Sequence, residues 1–196
     1  MRTSSSKLIG GMMEKKWLSY AEFIARLYAC TMLSVYGLGK IMGGQFYQDG
    51  KIPESVALTP LAEVGSFDLA WTFFGYSFGY ILFIGGSQVI GSLLLLFERT
   101  KILGAAILVP ILMNIIIVDY FYEISIGAMM SAISYFIAIN FVLFYNRERI
   151  FEAFSKVLIP PPKKEWKDRF IKLGIGVAGV IVLVLLENQM LNFVGR

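Results

Sequence analysis

Apolar residues come in long runs along this chain, and charged residues gather between the runs. A helix rises about 1.5 Å per residue, so crossing a hydrocarbon core of about 30 Å takes roughly 20 apolar residues. Five stretches have that length: 20–42, 71–97, 102–121, 124–145 and 170–190. The first carries Glu22 and Arg26 and is the least apolar. The second is long enough to tilt, or to begin with a turn lying in the interface. The pattern predicts an all-α integral membrane protein, a four-helix transmembrane bundle over 20–146 with a fifth C-terminal transmembrane helix in 170–196. The remaining divisions are an N-terminal segment 1–19, an external loop 43–70, and a basic, proline-rich linker 147–169.

Two connections carry structure of their own. Thr59-Pro60 reads as an N-cap followed by proline at the first helical position, so a short external helix is expected to start there. Phe46, Tyr47, Leu58, Leu61 and Phe67 would press this loop onto the bundle mouth. In 147–158, Ile150, Phe151, Phe154, Val157 and Leu158 recur at helical spacing beside Arg149, Glu152 and Lys156, the signature of an interfacial helix. Pro160, Pro161 and Pro162 then break the chain before the basic run 163–172. That break sets the fifth crossing apart from the four-helix core.

Placement of charge gives an orientation. All 18 Lys and Arg except Arg26, Lys40, Lys51 and Arg196 fall before the first crossing, between the second and third, or between the fourth and fifth. Under the positive-inside rule the expectation is a cytoplasmic N-terminus and an external C-terminus. The apolar run 8–13 is too short for a secretory signal and is followed by Glu14, Lys15 and Lys16.

Composition agrees and narrows the chemistry. The chain is 57% hydrophobic and 16% charged, against about 45–50% and about 25% in soluble domains, so lipid must be part of its solvent. It contains no histidine, which removes the usual haem and metal ligand and the usual near-neutral acid/base group. The single cysteine, Cys30, allows no internal disulfide or Cys-x-x-C pair and reads as a small apolar residue. No nucleophile–base pair or metal set stands out, so catalysis by the chain alone is the least expected class. Membrane topology accounts for the basic residues, which leaves no call for nucleic acid.

Within the spans, small residues predict close helix packing: Gly127, Ser131, Ser134 and Ala138 on the fourth, Gly174, Gly176 and Gly179 on the fifth, and Gly75, Gly79, Gly85, Gly86 and Gly91 on the second. Pro110 is expected to kink the third and free carbonyls near a cavity. A charge in hydrocarbon costs about 2.5–3.5 kcal/mol on the insertion scale, so each needs a partner or a use. Glu22, Arg26, Tyr36 and Lys40 share one helix face, and Glu22 and Arg26, one turn apart, can pair. Counting from the inner boundary puts Arg26 and Asn140 about 9 Å deep, Gln88 about 14 Å and Asn114 about 18 Å. These four are the candidate ligand-binding residues, with Tyr76 and Tyr80 against the ligand's apolar body. Lys40, Asp119 and Glu187 form an expected outer polar cluster. Glu98 and Arg99 read as interface anchors. The alternative for all of these groups is a purely structural set of interhelical bonds.

Arg26, the Gly39-Lys40 ending, the run from Gly86 through Leu95 with Glu98-Arg99-Thr100, and Gly104-Ala105 together resemble the DoxX family. The run from Trp71 through Ser77 and that from Asn114 through Tyr120 are similar to its DoxX-like branch. The resemblance covers about 20–146; the fifth crossing lies outside the family's minimal core, and Gln88 stands where the family often has glutamate. It implies a small membrane bundle that partners redox enzymes, in one branch a subunit of a thiosulfate:quinone oxidoreductase, and in a distant animal branch a receptor-assembly chaperone. The expectation is a non-catalytic accessory or anchoring subunit of a bacterial inner-membrane complex of respiratory or redox type, beside an integral-membrane partner or further copies of itself. The alternatives are a binder of a quinone or phospholipid, with no covalent cofactor, and a membrane assembly chaperone or solute carrier.

Overall fold

The computed structural model describes residues 2–158 and 166–194, and every regular element among them is a helix. In order these are α1 (Arg2–Ile41), α2 (Glu54–Ala57), α3 (Ser66–Gly75), α4 (Phe78–Leu96), α5 (Lys101–Phe121), α6 (Ile126–Tyr145), α7 (Arg147–Val157) and α8 (Trp166–Val194). The expected proline break at Pro160, Pro161 and Pro162, and the basic residues Lys163 and Lys164, lie outside the described residues. Among the described residues, four helical stretches are long and apolar enough to cross a membrane: Phe78–Leu96, Lys101–Phe121, Ile126–Tyr145 and Phe170–Glu187. The architecture is that of an all-α, multi-pass membrane protein. α1 is longer than any of these, but its charged residues keep it out of that class.

The chain divides into two compact units, Met1–Glu152 and Ala153–Arg196. In the first, α1 packs on α4 and α6, α4 packs on α5, and α5 packs on α6, a closed ring of four helices. Its core is Ala29 and Leu33 of α1, Leu95 of α4, Ala105, Leu108 and Leu112 of α5, and Ala132, Tyr135 and Ile139 of α6. The polarity is reversed from that of a soluble domain. Glu22, Arg26, Gln88 and Lys101 are buried, while Phe83, Ile90, Leu103 and Ile137 are exposed, as lipid-facing residues would be.

Two close approaches set the helix spacing. A Cβ on Gly37 would lie 2.8 Å from the Gly85 carbonyl oxygen, and a Cβ on Gly85 would lie 2.8 Å from that of Gly37. One on Gly104 would lie 2.6 Å from the Gly91 oxygen. Small residues therefore bring α1 to α4 and α4 to α5, as the small-residue rule expects. Gly91 is also tight against Leu108, and Gly75 against Tyr47, but the other predicted glycines are not. Gly79 and Gly127 approach only neighbouring serines, and Gly86, Gly174, Gly176 and Gly179 have nothing within 4 Å of such a Cβ. On α6 the small-residue face adds a polar contact, with Ser134 Oγ and Tyr28 Oη 3.2 Å apart.

The expected second crossing, 71–97, is two helices. Ser77 is extended (φ −125°, ψ 122°) and starts α4. The reason is tertiary. The chain returning from α1 lays Tyr47 against α3, where its N–H donates to the Trp71 carbonyl (3.1 Å) and its own oxygen would meet a Gly75 Cβ at 2.0 Å. This contact pins α3 off the axis of α4. The helix expected at Thr59-Pro60 is also absent, because Thr59 Oγ1 donates to the Ser55 carbonyl (2.6 Å) and closes α2 instead of capping a new helix. Pro110 stays inside α5, where its missing N–H leaves the Ala106 carbonyl without a helical donor.

Candidate functional site

The first unit holds two polar clusters at different heights. One lies where α4 ends, α5 begins and α6 ends. Glu22 accepts from Arg26 Nε (3.1 Å), Lys101 Nζ (2.9 Å) and Asn146 Nδ2 (3.2 Å). Arg26 also donates to the carbonyls of Leu95 and Leu96 (3.3 Å each) and pairs with Glu98, which pairs in turn with Lys101 (2.8 Å). Two cations and two carboxylates balance, and Arg26 Nη1 is spent on backbone carbonyls. A buried ion set persists only when it is balanced and hydrogen-bonded in this way. This cluster is a closure, each of its charges met by an opposite one.

Glu98 is its one exposed member, its side chain 64% accessible. The Lys101 hydrogen bond, helped by the charges of Arg26 and Lys101, outweighs partial burial and holds its carboxyl below the usual range. A lowered folded-state value means stabilisation that is present above the usual carboxylate range and lost as pH falls through the lowered one. Thermal unfolding in detergent should accordingly show the wild type losing more stability between pH 7 and acid pH than Glu98→Gln does. Equal losses would remove Glu98 from the balance.

The second cluster lies toward the other end and borders a cavity of about 540 Å³. Its walls are α4 (Tyr80, Phe83, Ser87, Gln88) and α5 (Ile107, Pro110, Ile111, Asn114, Asp119), with Lys40 from α1. Gln45 and Phe46 of the following turn, with Trp71 and Phe74 of α3, form the roof. Phe46 holds a left-handed backbone (φ 67°), uncommon for a bulky residue and costing about 1–3 kcal/mol. Its ring rests against Trp71 and Phe74, at 5.3 Å in each case, so aromatic packing keeps the strained roof in place. Outside the spans, Tyr47 Oη donates to Asp68 (2.9 Å); burial and that carboxylate both raise the phenol above its ordinary value.

The polar groups on this cavity are not balanced by contact. Lys40, 7% exposed, donates to Gln88 Oε1 (3.2 Å) and lies 6.0 Å above the Tyr36 ring, without an ion pair among the described residues. Gln45 Oε1 is buried and accepts no hydrogen bond among the described residues. A smaller cavity of about 60 Å³ shares Lys40, Gln45, Gln88 and Asp119 and extends toward Tyr36 and Tyr135. These four residues therefore border both spaces.

The expected grouping of Arg26, Gln88, Asn114 and Asn140 does not form. Arg26 is consumed in the closure, and Gln88 turns to Lys40. Asn140 is exposed and donates to the Phe136 carbonyl of its own helix (2.8 Å). Asn114 and Tyr80 line the large cavity, whereas Tyr76 is 81% exposed and does not. Lys40 and Asp119 share the cavity wall as expected, while Glu187 belongs to the second unit and is exposed. Lys101 and Asn146, unforeseen, complete the closure. The available signals were the Glu98–Lys101 spacing of three and a polar residue one position beyond the fourth apolar run.

The chain is 38% identical over 120 residues to an uncharacterized protein, YwoB, of Bacillus subtilis (strain 168), a match covering 60% of this chain and 72% of that protein. No family model matches the chain. No solved structure does.

Proposed function

This chain belongs to the family of YwoB, and on that premise we propose that it holds an amphipathic small molecule, a lipid or a quinone, in the cavity between α4 and α5. The observation that carries the reading is the buried Lys40–Gln88 pair facing a cavity of about 540 Å³, well within the size of small-molecule sites. An apolar enclosure with a few convergent polar groups suits a guest with a small polar head and a hydrocarbon body. In this proposal α1 is the fifth crossing, supported by its packing on α4 and α6, and the N-terminus is cytoplasmic in a bacterial inner membrane. The DoxX resemblance over 20–146 supports the same small-bundle plan.

The test is the yield of bound amphiphile. Full-length protein extracted in mild detergent should release close to one equivalent into organic solvent, detected by mass spectrometry. Ser87→Trp, which fills the cavity, should release several-fold less while unfolding at a similar temperature. Equal release from both proteins, or none from the wild type, would refute the reading.

A second reading, an accessory or anchoring subunit, draws on α8. Between Phe170 and Glu187 it is apolar, with every described side chain exposed, a helix suited to lipid or to a membrane partner.

A further inference from the structure

The polar groups around the cavity specify a head as well as a location. Resting on the reading that the cavity holds an amphiphile, we propose that its ligand is a zwitterionic phospholipid carrying a phosphate and a primary ammonium. Lys40 supplies a buried cation with one N–H committed to Gln88 and no carboxylate in contact among the described residues. Asp119, half-buried on the same wall, accepts no side-chain hydrogen bond among the described residues. Gln45 offers a buried acceptor without a donor. A purely anionic head would satisfy Lys40 and face Asp119 with like charge; a purely cationic one would do the reverse. A head bearing both charges places phosphate on Lys40 and gives N–H donors to Asp119 and Gln45. Two amide or carboxylate acceptors call for a primary ammonium, because a quaternary one has no N–H to give.

The route of entry points to lipid. The exposed members of the lining, Tyr80, Phe83 (68%), Pro110 and Asn114, are all on α4 and α5, within the stretches apolar enough to span the membrane. The open side therefore faces the position of acyl chains, and chains too long for the cavity can leave through it.

The experiment equilibrates the purified full-length protein with an equimolar mixture of phosphatidylethanolamine, phosphatidylglycerol and phosphatidylcholine of identical chains, and counts retained lipid by native mass spectrometry. Phosphatidylethanolamine should be retained about tenfold over each of the others, the size of one hydrogen bond to a charged group. Asp119→Asn should invert the order in favour of phosphatidylglycerol, since Lys40 then stands alone. Lys40→Met should lose both, and Lys40→Gln serves where the methionine variant does not fold. Wild-type retention of phosphatidylglycerol or phosphatidylcholine as strong as that of phosphatidylethanolamine would overturn the headgroup assignment and leave the cavity reading intact. No retained lipid of any kind would refute the lipid assignment, and an empty organic extract in the preceding test would take the cavity reading with it. Displacement of lipid by an equal concentration of glycerophosphoethanolamine would show that acyl chains contribute nothing and would overturn the lipid source.

Discussion

Glu22→Ala should destabilise the protein by about 3–5 kcal/mol, the usual result of removing one partner from a buried ion pair. The carboxylate serves Arg26, Lys101 and Asn146 at once. Without it, two buried cations share Glu98, whose side chain is 64% accessible, and the cluster carries a net charge of its own. Exposed pairs contribute only about 0–1 kcal/mol, so Glu98 cannot substitute. Neutral polar contacts between membrane helices average about 0.6 kcal/mol, so Ser134→Ala, which deletes the contact to Tyr28, should cost far less. In thermal unfolding, Glu22→Ala should fall by about 10 °C. Glu22→Gln, which keeps one acceptor and the volume, should fall between it and wild type. Finding Glu22→Ala no less stable than Glu98→Gln would contradict the description of this cluster as the closure of the bundle.

Gly104→Ala is expected to cost about 1–3 kcal/mol through overpacking, although alanine is the better helix former by about 1 kcal/mol. The sign is decided by what the added methyl meets. Its three nearest neighbours are the Gly91 oxygen (2.6 Å), the Leu95 nitrogen (2.9 Å) and the Leu94 carbonyl carbon (3.0 Å). All are backbone, which cannot turn aside as a side-chain tip can, so α4 and α5 must separate. Gly86→Ala, on α4 with nothing within 4 Å, should show the helix-propensity gain alone. Opposite signs for these two variants in thermal unfolding are the expected outcome; a stabilised Gly104→Ala would show that the α4–α5 spacing is not set here. Because the same two helices wall the large cavity, this seam also fixes the width of the proposed site.

The chain's hydrophobic pattern determined the helical class, the three spans α4, α5 and α6, and the apolar stretch within α8, because period and length alone decide which segments can cross lipid. It also placed Glu22, Arg26, Tyr36 and Lys40 on one face of α1, because helix geometry fixes angular position from residue number; the three charged residues are buried, whereas Tyr36 is exposed. Partner choice was another matter. Depth counted along each helix put Gln88 with Arg26, yet Gln88 binds Lys40, since an axial count does not say how neighbouring helices are offset or rotated. Lys101 reads as a loop charge marking topology, but the tight turn 97–100 folds it under α1 onto Glu22. The break of α3 from α4 likewise follows from Tyr47 arriving against Gly75, a contact between residues far apart in sequence. Local periodicity expresses the preference of each segment for lipid or water; which side chains meet depends on helix offset, rotation and close backbone approach, and these exist only once the bundle is packed.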